Sequence, residues 1–366
     1  MSIFLPSSIS GSTPPAMNST ADDDEAAKNF KILYAENKES AIATFMAMLD
    51  DPSETESNGA VKIFLQLYAD NKDDALNFLY DKALPWTAKG KLLENHSMSE
   101  NMAVEISKKL YEDRNKNVLY ALTNISKTDK FTNKAFAIFL ALYENNKNGA
   151  VDFLCNRYLP HRTIGNLLAN SSMGENMAVE IFNNLFAIKP EKAIDTFDYM
   201  LMTNEYSDRA FAIFLIRYEN SEDDAVKLLC NEKLKRKAIG KLLANHSMDE
   251  SNAMEILRKL YVENSGKAAS AFSYIIMNNQ LSDRAFAIFL VLYENNKDDA
   301  VKLLCKEELT REAIGELLAN HSMDESSAVE ILRELYVENS GKAASAFRHM
   351  ITNKQLSNRA AAIFLI

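Results

Sequence analysis

Long apolar runs, excess positive charge, paired cysteines and the common catalytic signatures are all scarce or missing in this chain of 366 residues. The longest apolar run, Ala285 to Tyr293, is about half of the roughly 20 residues that a bilayer crossing requires, so no membrane segment is expected. Lys and Arg number 41 against 51 Asp and Glu. The formal charge of -10 argues against a phosphate backbone as partner, because nonspecific nucleic-acid binding draws on clustered cations, and a basic protein is the more natural partner. Only three cysteines occur, Cys155, Cys230 and Cys305, one repeat period apart. Equivalent residues of successive units lie beyond the ~7 Å at which Cα atoms can be bridged, so these are expected as reduced core thiols, as in a cytosol.

Signatures of chemistry are equally sparse. Asn264-Ser-Gly-Lys-Ala268 has the Gly-Lys pair of a phosphate loop but neither its leading glycine nor the Ser or Thr that would hold magnesium. There is no paired-histidine zinc motif, no Cys-x-x-Cys and no glycine-rich strand-to-helix turn. His96, His246 and His321 share one repeat position, with Ser171 in the remaining copy, and a row of that kind cannot converge on one metal or substrate. The sequence predicts no enzyme, no cofactor and no metal.

What the chain does have is repetition. Arg284 to Asn358 matches Arg209 to Asp283 without a gap at 57 of 75 positions, the mark of a repeat architecture. That register divides the chain into a disordered tail over 1–25, a half repeat over 26–58, and four units over 59–133, 134–208, 209–283 and 284–358. The first helix of an incomplete unit follows over 359–366. Hydrophobic periodicity predicts five helices per unit and about 22 in all, an all-α solenoid of stacked antiparallel helices.

Within the last unit, the first helix is predicted over Asp283 to Glu294. Ser282 is its expected N-cap, and Leu281 is expected to staple onto Phe286, a pairing echoed by Tyr206 with Phe211 and Phe131 with Phe136. Ala285 to Leu290 is apolar all round, which marks this helix as the buried spine. The second helix is predicted from Asp298 to about Lys306 and the third from Thr310 to Asn320. The third carries Gly315, repeated as Gly240, Gly165 and Gly90, where a close neighbouring backbone is expected. Ser322-Met-Asp-Glu325 reads as a capping box opening the fourth helix. The fifth is predicted over Ser340 to Thr352.

Ala328-Val-Glu-Ile-Leu and Lys342-Ala-Ala-Ser-Ala-Phe resemble the superhelical helix repeats of the MgtE transporter N-terminal domain and of the flagellar switch protein FliG. Across Phe30 to Ile366 the resemblance implies a superhelix and no activity. Met1 to Thr20 has no basic start and no long apolar core, so it is not expected to be a secretory signal. With Asp22 to Glu25 it is expected to be mobile. Polar, serine-rich leaders of this kind resemble those of bacterial proteins exported through type III needles, which implies an effector delivered to a host cytoplasm; the bare alternative is a cytoplasmic protein.

Candidate contact residues come from two sources. Tyr143, Tyr218 and Tyr293 close the first helix of their units, as Tyr68 does in the earliest, while His246 and His321 sit at turns. The second source is disagreement between copies. Lys233, Lys235, Lys237 and Lys241 become Glu308, Thr310, Glu312 and Glu316, and Lys259 becomes Glu334, a reversal that places these positions in solvent. It leaves a basic region near Lys235 and an acidic one near Glu312. The function expected is a non-enzymatic scaffold holding a protein or peptide along its curved surface. The alternative is head-to-tail self-assembly through the apolar segment 359–366.

Overall fold

The computed structural model describes residues 20–114, 133–156, 159–278 and 280–365. Among them are 22 helices and no strand, so the fold is all-α. The chain divides into two compact units, residues 1–150 and 151–366. In the first lie α1 (Thr20–Glu36), α2 (Lys38–Asp50), α3 (Glu54–Asp70), α4 (Lys72–Tyr80), α5 (Trp86–Glu94), α6 (Glu100–Arg114) and α7 (Asn133–Asn145). Helix α8 (Lys147–Leu154) spans the boundary. The second unit holds α9 (His161–Leu168), α10 (Glu175–Ile188), α11 (Pro190–Met202), α12 (Ser207–Asn220), α13 (Glu222–Cys230), α14 (Arg236–Leu243) and α15 (Glu250–Glu263). It continues with α16 (Ser265–Met277), α17 (Ser282–Asn295), α18 (Lys297–Leu304), α19 (Arg311–Leu318), α20 (Glu325–Glu338), α21 (Ser340–Thr352) and α22 (Ser357–Leu365). Five helices therefore recur per period, α12 to α16 and then α17 to α21.

Among the described residues, two joints in a complete period consist of a single residue each. Asn296 ends α17 by donating its N–H to Leu292 O at 2.8 Å, and its side-chain Oδ1 starts α18 by accepting from Asp299 N at 3.1 Å. Asn71 does the same between α3 and α4, and Ser221 between α12 and α13. The fourth and fifth helices meet in the same way at Asn37, Asn264 and Asn339. At Lys189 the side-chain cap is absent and Pro190 opens α11 instead, a position where its missing N–H costs nothing. An Asn joint satisfies a carbonyl at the end of one helix and an N–H at the start of the next, and the side-chain cap contributes about 1 kcal/mol.

Two of the three remaining turns are closed by cations. Asn245 forms a turn to Met248, with its Oδ1 taking Ser247 N at 2.8 Å, and Asn95, Asn170 and Asn320 repeat it. The methionine at the end of each, Met98, Met173, Met248 and Met323, is buried. Its carbonyl accepts from the cation that opens the following first helix. Lys134 reaches Met98 O at 2.6 Å and Arg209 reaches Met173 O at 2.9 Å, while Arg284 and Arg359 bond Met248 O and Met323 O. A second series joins Lys192, Lys267 and Lys342 to the carbonyls of Asn156, Asn231 and Lys306. Burial pushes all three of these ammonium groups below their ordinary pKa.

Several predicted details shift. Helix α17 begins at Ser282, and Leu281 takes the cap position without a side-chain bond. Phe131 of the proposed staple lies outside the described residues. The capping box at Ser322 is replaced by a cap two residues later, where Asp324 accepts from Ser327 N at 2.8 Å, as Asp249 does from Asn252 N at 2.7 Å. The reason is the turn: Ser322 and Met323 are occupied in bonding to Asn320. Helix α1 begins at Thr20, so the acidic run at Asp22 lies in a helix, and residues 1–19 of the expected tail lie outside the described residues. The buried spine is the fifth helix more than the first, since α16 packs on α14, α15, α17, α18 and α19.

The recurring glycine has an aromatic ring as its main neighbour. A Cβ on Gly240 would lie 2.5 Å from Tyr274 Cδ1 and 3.1 Å from the carbonyl of Ala271, and Gly165 faces Tyr199 in the same way. Gly341 has only Asn339 Oδ1 at 3.8 Å. Gly240→Ala is expected to lose about 1–2 kcal/mol, overpacking of about 1–3 kcal/mol exceeding the gain in chain entropy, whereas Gly341→Ala is expected to gain about 0.5 kcal/mol. Denaturant midpoints of the two variants check this pair of opposite signs.

Candidate interaction surface

Positions that differ between copies lie mostly outside the core. Where Arg209 to Asp283 and Arg284 to Asn358 differ, only Ser273 and Ile275 are buried among the described residues of the first copy. Lys233, Lys235 and Lys237 are exposed and Lys241 is half-buried; Glu308 and Thr310 are exposed, Glu312 and Glu316 half-buried. Lys241 lies by the turn after the fifth helix, where its Nζ reaches Asn204 Oδ1 at 3.0 Å, while Lys233, Lys235 and Lys237 surround the turn between the second and third helices. Open clefts lie there twice in residues 151–366. One, of about 460 Å³, runs from Cys155 and His161 to Lys192, and the other, of about 520 Å³, from Cys305 and Glu312 to Lys342. The cysteines in this row are free and half-buried, and burial pushes their thiols up, so they stay protonated near neutral pH.

The tyrosine row belongs to the frame and is withdrawn from the contact surface. Tyr143 and Tyr293 are buried and Tyr218 is half-buried. Each stacks on a phenylalanine one turn earlier, with centroids 6.1 Å apart for Phe139 and Tyr143 and 6.0 Å for Phe289 and Tyr293. Tyr293 donates to Glu334 Oε2 at 3.0 Å, tying the first helix to the fourth, and Tyr68 makes the same bond to Glu105 Oε1. Burial, with Glu105 alongside, pushes the Tyr68 phenol up to about 12, so it remains a donor. A ring with a wet tip reads equally as contact residue or packing, and burial decides for packing.

His246 and His321 are exposed at the tips of their turns, with His321 Nδ1 3.8 Å from Asp283 Oδ1. The neighbouring amide carries the structural role: Asn320 Nδ2 donates to Asp283 Oδ1 at 3.1 Å, and Asn245 Nδ2 to Asp208 Oδ1 at 3.2 Å. Both histidine side chains are exposed. Among the described residues no group of three His, Cys, Asp or Glu is placed to hold a metal ion, and no helix is long and apolar enough to cross a membrane.

Lys235 and Glu312 differ in what holds them. Lys235 Nζ lies 2.6 Å from Asp198 Oδ2, and its own N–H donates to Asp198 Oδ1 at 3.1 Å. Glu312 pairs with Arg311 Nε at 2.7 Å, and that hydrogen bond lowers its pKa. Asp198 is buried and was not singled out from the sequence. Its signal was there as a pair that changes together 37 residues apart: Asp198 with Lys235 in one place, Ser273 with Thr310 in the next. Part of the charge variation is thus an exchange between neighbouring units. Lys233 likewise reaches Glu191 Oε2 at 2.7 Å, whereas Lys237 makes only a long approach to the Tyr274 ring, 5.9 Å from its centroid.

The class these features define is an all-α helical-repeat protein whose varying residues lie mostly outside the core. Comparison with protein-family models, with curated proteins and with solved structures finds no match.

The Asp198 pair yields a test of exchange between units. Lys235→Thr leaves Asp198 without its ammonium and is expected to cost about 1 kcal/mol, discounted because Lys235 is mostly exposed. Adding Asp198→Ser recreates the pair found one period later and is expected to recover most of that loss. A double-mutant cycle by urea denaturation measures it, and additive losses would contradict the coupling.

Proposed function

We propose that the chain is a non-enzymatic scaffold that holds a protein or peptide against the exposed turns and third helices of residues 151–366. The observation that carries this reading is that the positions that differ between the copies lie mostly outside the core, and two of them, Thr310 and Glu312, line an open cleft of about 520 Å³. A repeat array preserves what stacks its units and leaves the presented face free to vary, which is how such arrays acquire partners. The basic side near Lys233 and Lys237 and the acidic side near Glu312 and Glu316 then set orientation and association rate more than affinity. His246 and His321, exposed at the turns after the third helices, offer further polar contacts. The acidic total charge favours a partner with basic segments.

A second reading, self-association, has its own support. Phe364 is 76% exposed and Ile351 54%, whereas Phe289 and Ile276, one period earlier, are buried. A second copy set against these side chains would cover them as a neighbouring unit does in the interior. Sedimentation over a range of concentrations separates the two readings. Self-association gives a mass that rises with concentration and returns to the monomer in Phe364→Ser with Ile351→Ser.

For the scaffold, the decisive comparison is quantitative affinity capture by the wild-type chain and by Lys233→Glu with Lys237→Glu, Lys235 being left to hold Asp198. Partners of this face are expected to be saturable, salt-sensitive and weakened about tenfold or more, roughly 1.4 kcal/mol. Equal retention by both chains would remove the assignment to this surface.

A further inference from the structure

Copies this alike raise a problem of register. Helices α12 and α17 differ at only two positions, Ile216 for Val291 and Arg217 for Leu292, and α15 and α20 at only three. Their apolar faces are therefore nearly interchangeable, and docking on the wrong neighbour is a characteristic fault of repeat chains. Three side-chain pairs in residues 151–366 break the likeness, each between elements that pack on each other. Arg217 of α12 bonds Asn183 Oδ1 of α10 and lies over the Phe186 ring, 4.5 Å from its centroid. Lys235, at the head of α14, bonds the buried Asp198 of α11. Lys259 of α15 pairs with Glu222 at the start of α13.

One period later all three pairs are different. Leu292 stands for Arg217 and Arg258 for Asn183, Thr310 and Ser273 replace Lys235 and Asp198, and Lys297 and Glu334 invert Glu222 and Lys259. The inverted polarity makes its own contact: Lys297 bonds Glu330, one turn before Glu334, and in the earliest copy Lys72 reaches Glu105, at the same two positions, at 2.9 Å. An exchange of neighbours therefore sets the wrong groups together. Helix α12 docked on α15 in place of α17 would bring Arg217 against Arg258. Helix α13 docked on α20 in place of α18 would bring Glu222 against Glu330 and Glu334. Thr310 set against α11 would leave Asp198 buried without its ammonium. Like charges in contact, and a buried charge without its partner, weigh against the wrong neighbour while adding nothing to the right one.

We propose that these three pairs set the register of stacking: they admit each unit against its own neighbour and refuse the same unit from one period away, whether it comes from its own chain or from a second copy. The apolar pattern supplies stability and the pairs supply the choice. This role concerns the assembly of the frame and stands apart from both readings of function, so either can fail without the other.

Erasing the distinction without removing contacts tests this. Asn183→Arg with Arg217→Leu, Asp198→Ser with Lys235→Thr, and Glu222→Lys with Lys259→Glu each install the pair found one period later. The full-length chain is made with each pair changed alone and with all three changed, and is refolded from urea at rising protein concentration. Products are weighed by light scattering after dilution, so that reversible association does not count. Wild type is expected to return as monomer. The chain with all three changes is expected to give at least about threefold less monomer, the rest being exchanged dimers and larger species, with each pair alone giving part of the loss. Ile213→Val lowers stability at a fully buried position without touching a pair, and is expected to refold as wild type does. Monomer recovery equal to wild type in the chain with all three changes would overturn the proposal. An equal loss in Ile213→Val would overturn it too, by making the loss one of stability alone. If the combined changes prevent folding, the single-pair chains decide, and full monomer recovery in all three contradicts the proposal.

Discussion

Backbone carbonyls at the turns between helices have to be satisfied, and here a cation 36 residues later does it. Lys134, Arg209, Arg284 and Arg359 close one kind of turn, and Lys192, Lys267 and Lys342 close the other. A carbonyl left without a donor in such a place costs on the order of 1–3 kcal/mol. The bond crosses from one helical hairpin to a later one, so each turn is finished only when the following hairpin has docked. This separates two populations of charge. From residue 134 onward the turn cations keep their charge because the frame needs them, and Lys237 becomes Glu312 in the next copy because nothing buried depends on it.

The joints complete the frame. A linker of one Asn leaves little freedom in the angle between successive helices, since its N–H and its side chain are both committed. Fully buried rings such as Phe272 and Phe289, 6.2 Å apart and nearly parallel, then fill the space between helices fixed in this way. A surface carried on such supports holds its charges in place, which is what a scaffold offers a partner.

Much of this was legible in the sequence because repeats report the same constraint several times. The 75-residue register, the five helices and the fifth helix over Ser340 to Thr352 match the structure, and Asn339 ahead of it is the cap. The errors fall where two local solutions compete for the same residues. Ser322 with Glu325 satisfies the pattern of a capping box, but Asn320 claims the serine amide for a turn, and the cap moves to Asp324. Tyr143 and Tyr293 were open to two meanings, and only burial separates them. Asp198 was not legible as a repeated residue because it occurs once; its meaning lies in a correlation with Lys235 that needs the stacking of adjacent units to interpret. The glycine of the third helix was read as a close backbone, and the closest atom proves to belong to an aromatic ring of the fifth helix.

The claim on which the rest depends is that the turn cations, and not the hydrophobic pattern alone, fix one hairpin against the next. Arg284→Met tests it, since Arg284 is largely buried and methionine keeps its reach without its donors. Amide hydrogen exchange should then quicken at Ser247 and Met248, whose bonds to Asn245 hold the turn, by about tenfold or more for a local loss of at least 1.4 kcal/mol. Amides in the middle of α19 should keep their wild-type protection relative to global unfolding. Exchange at Ser247 and Met248 that matches the wild type would show that the turn stands without its cation, and the account would fail.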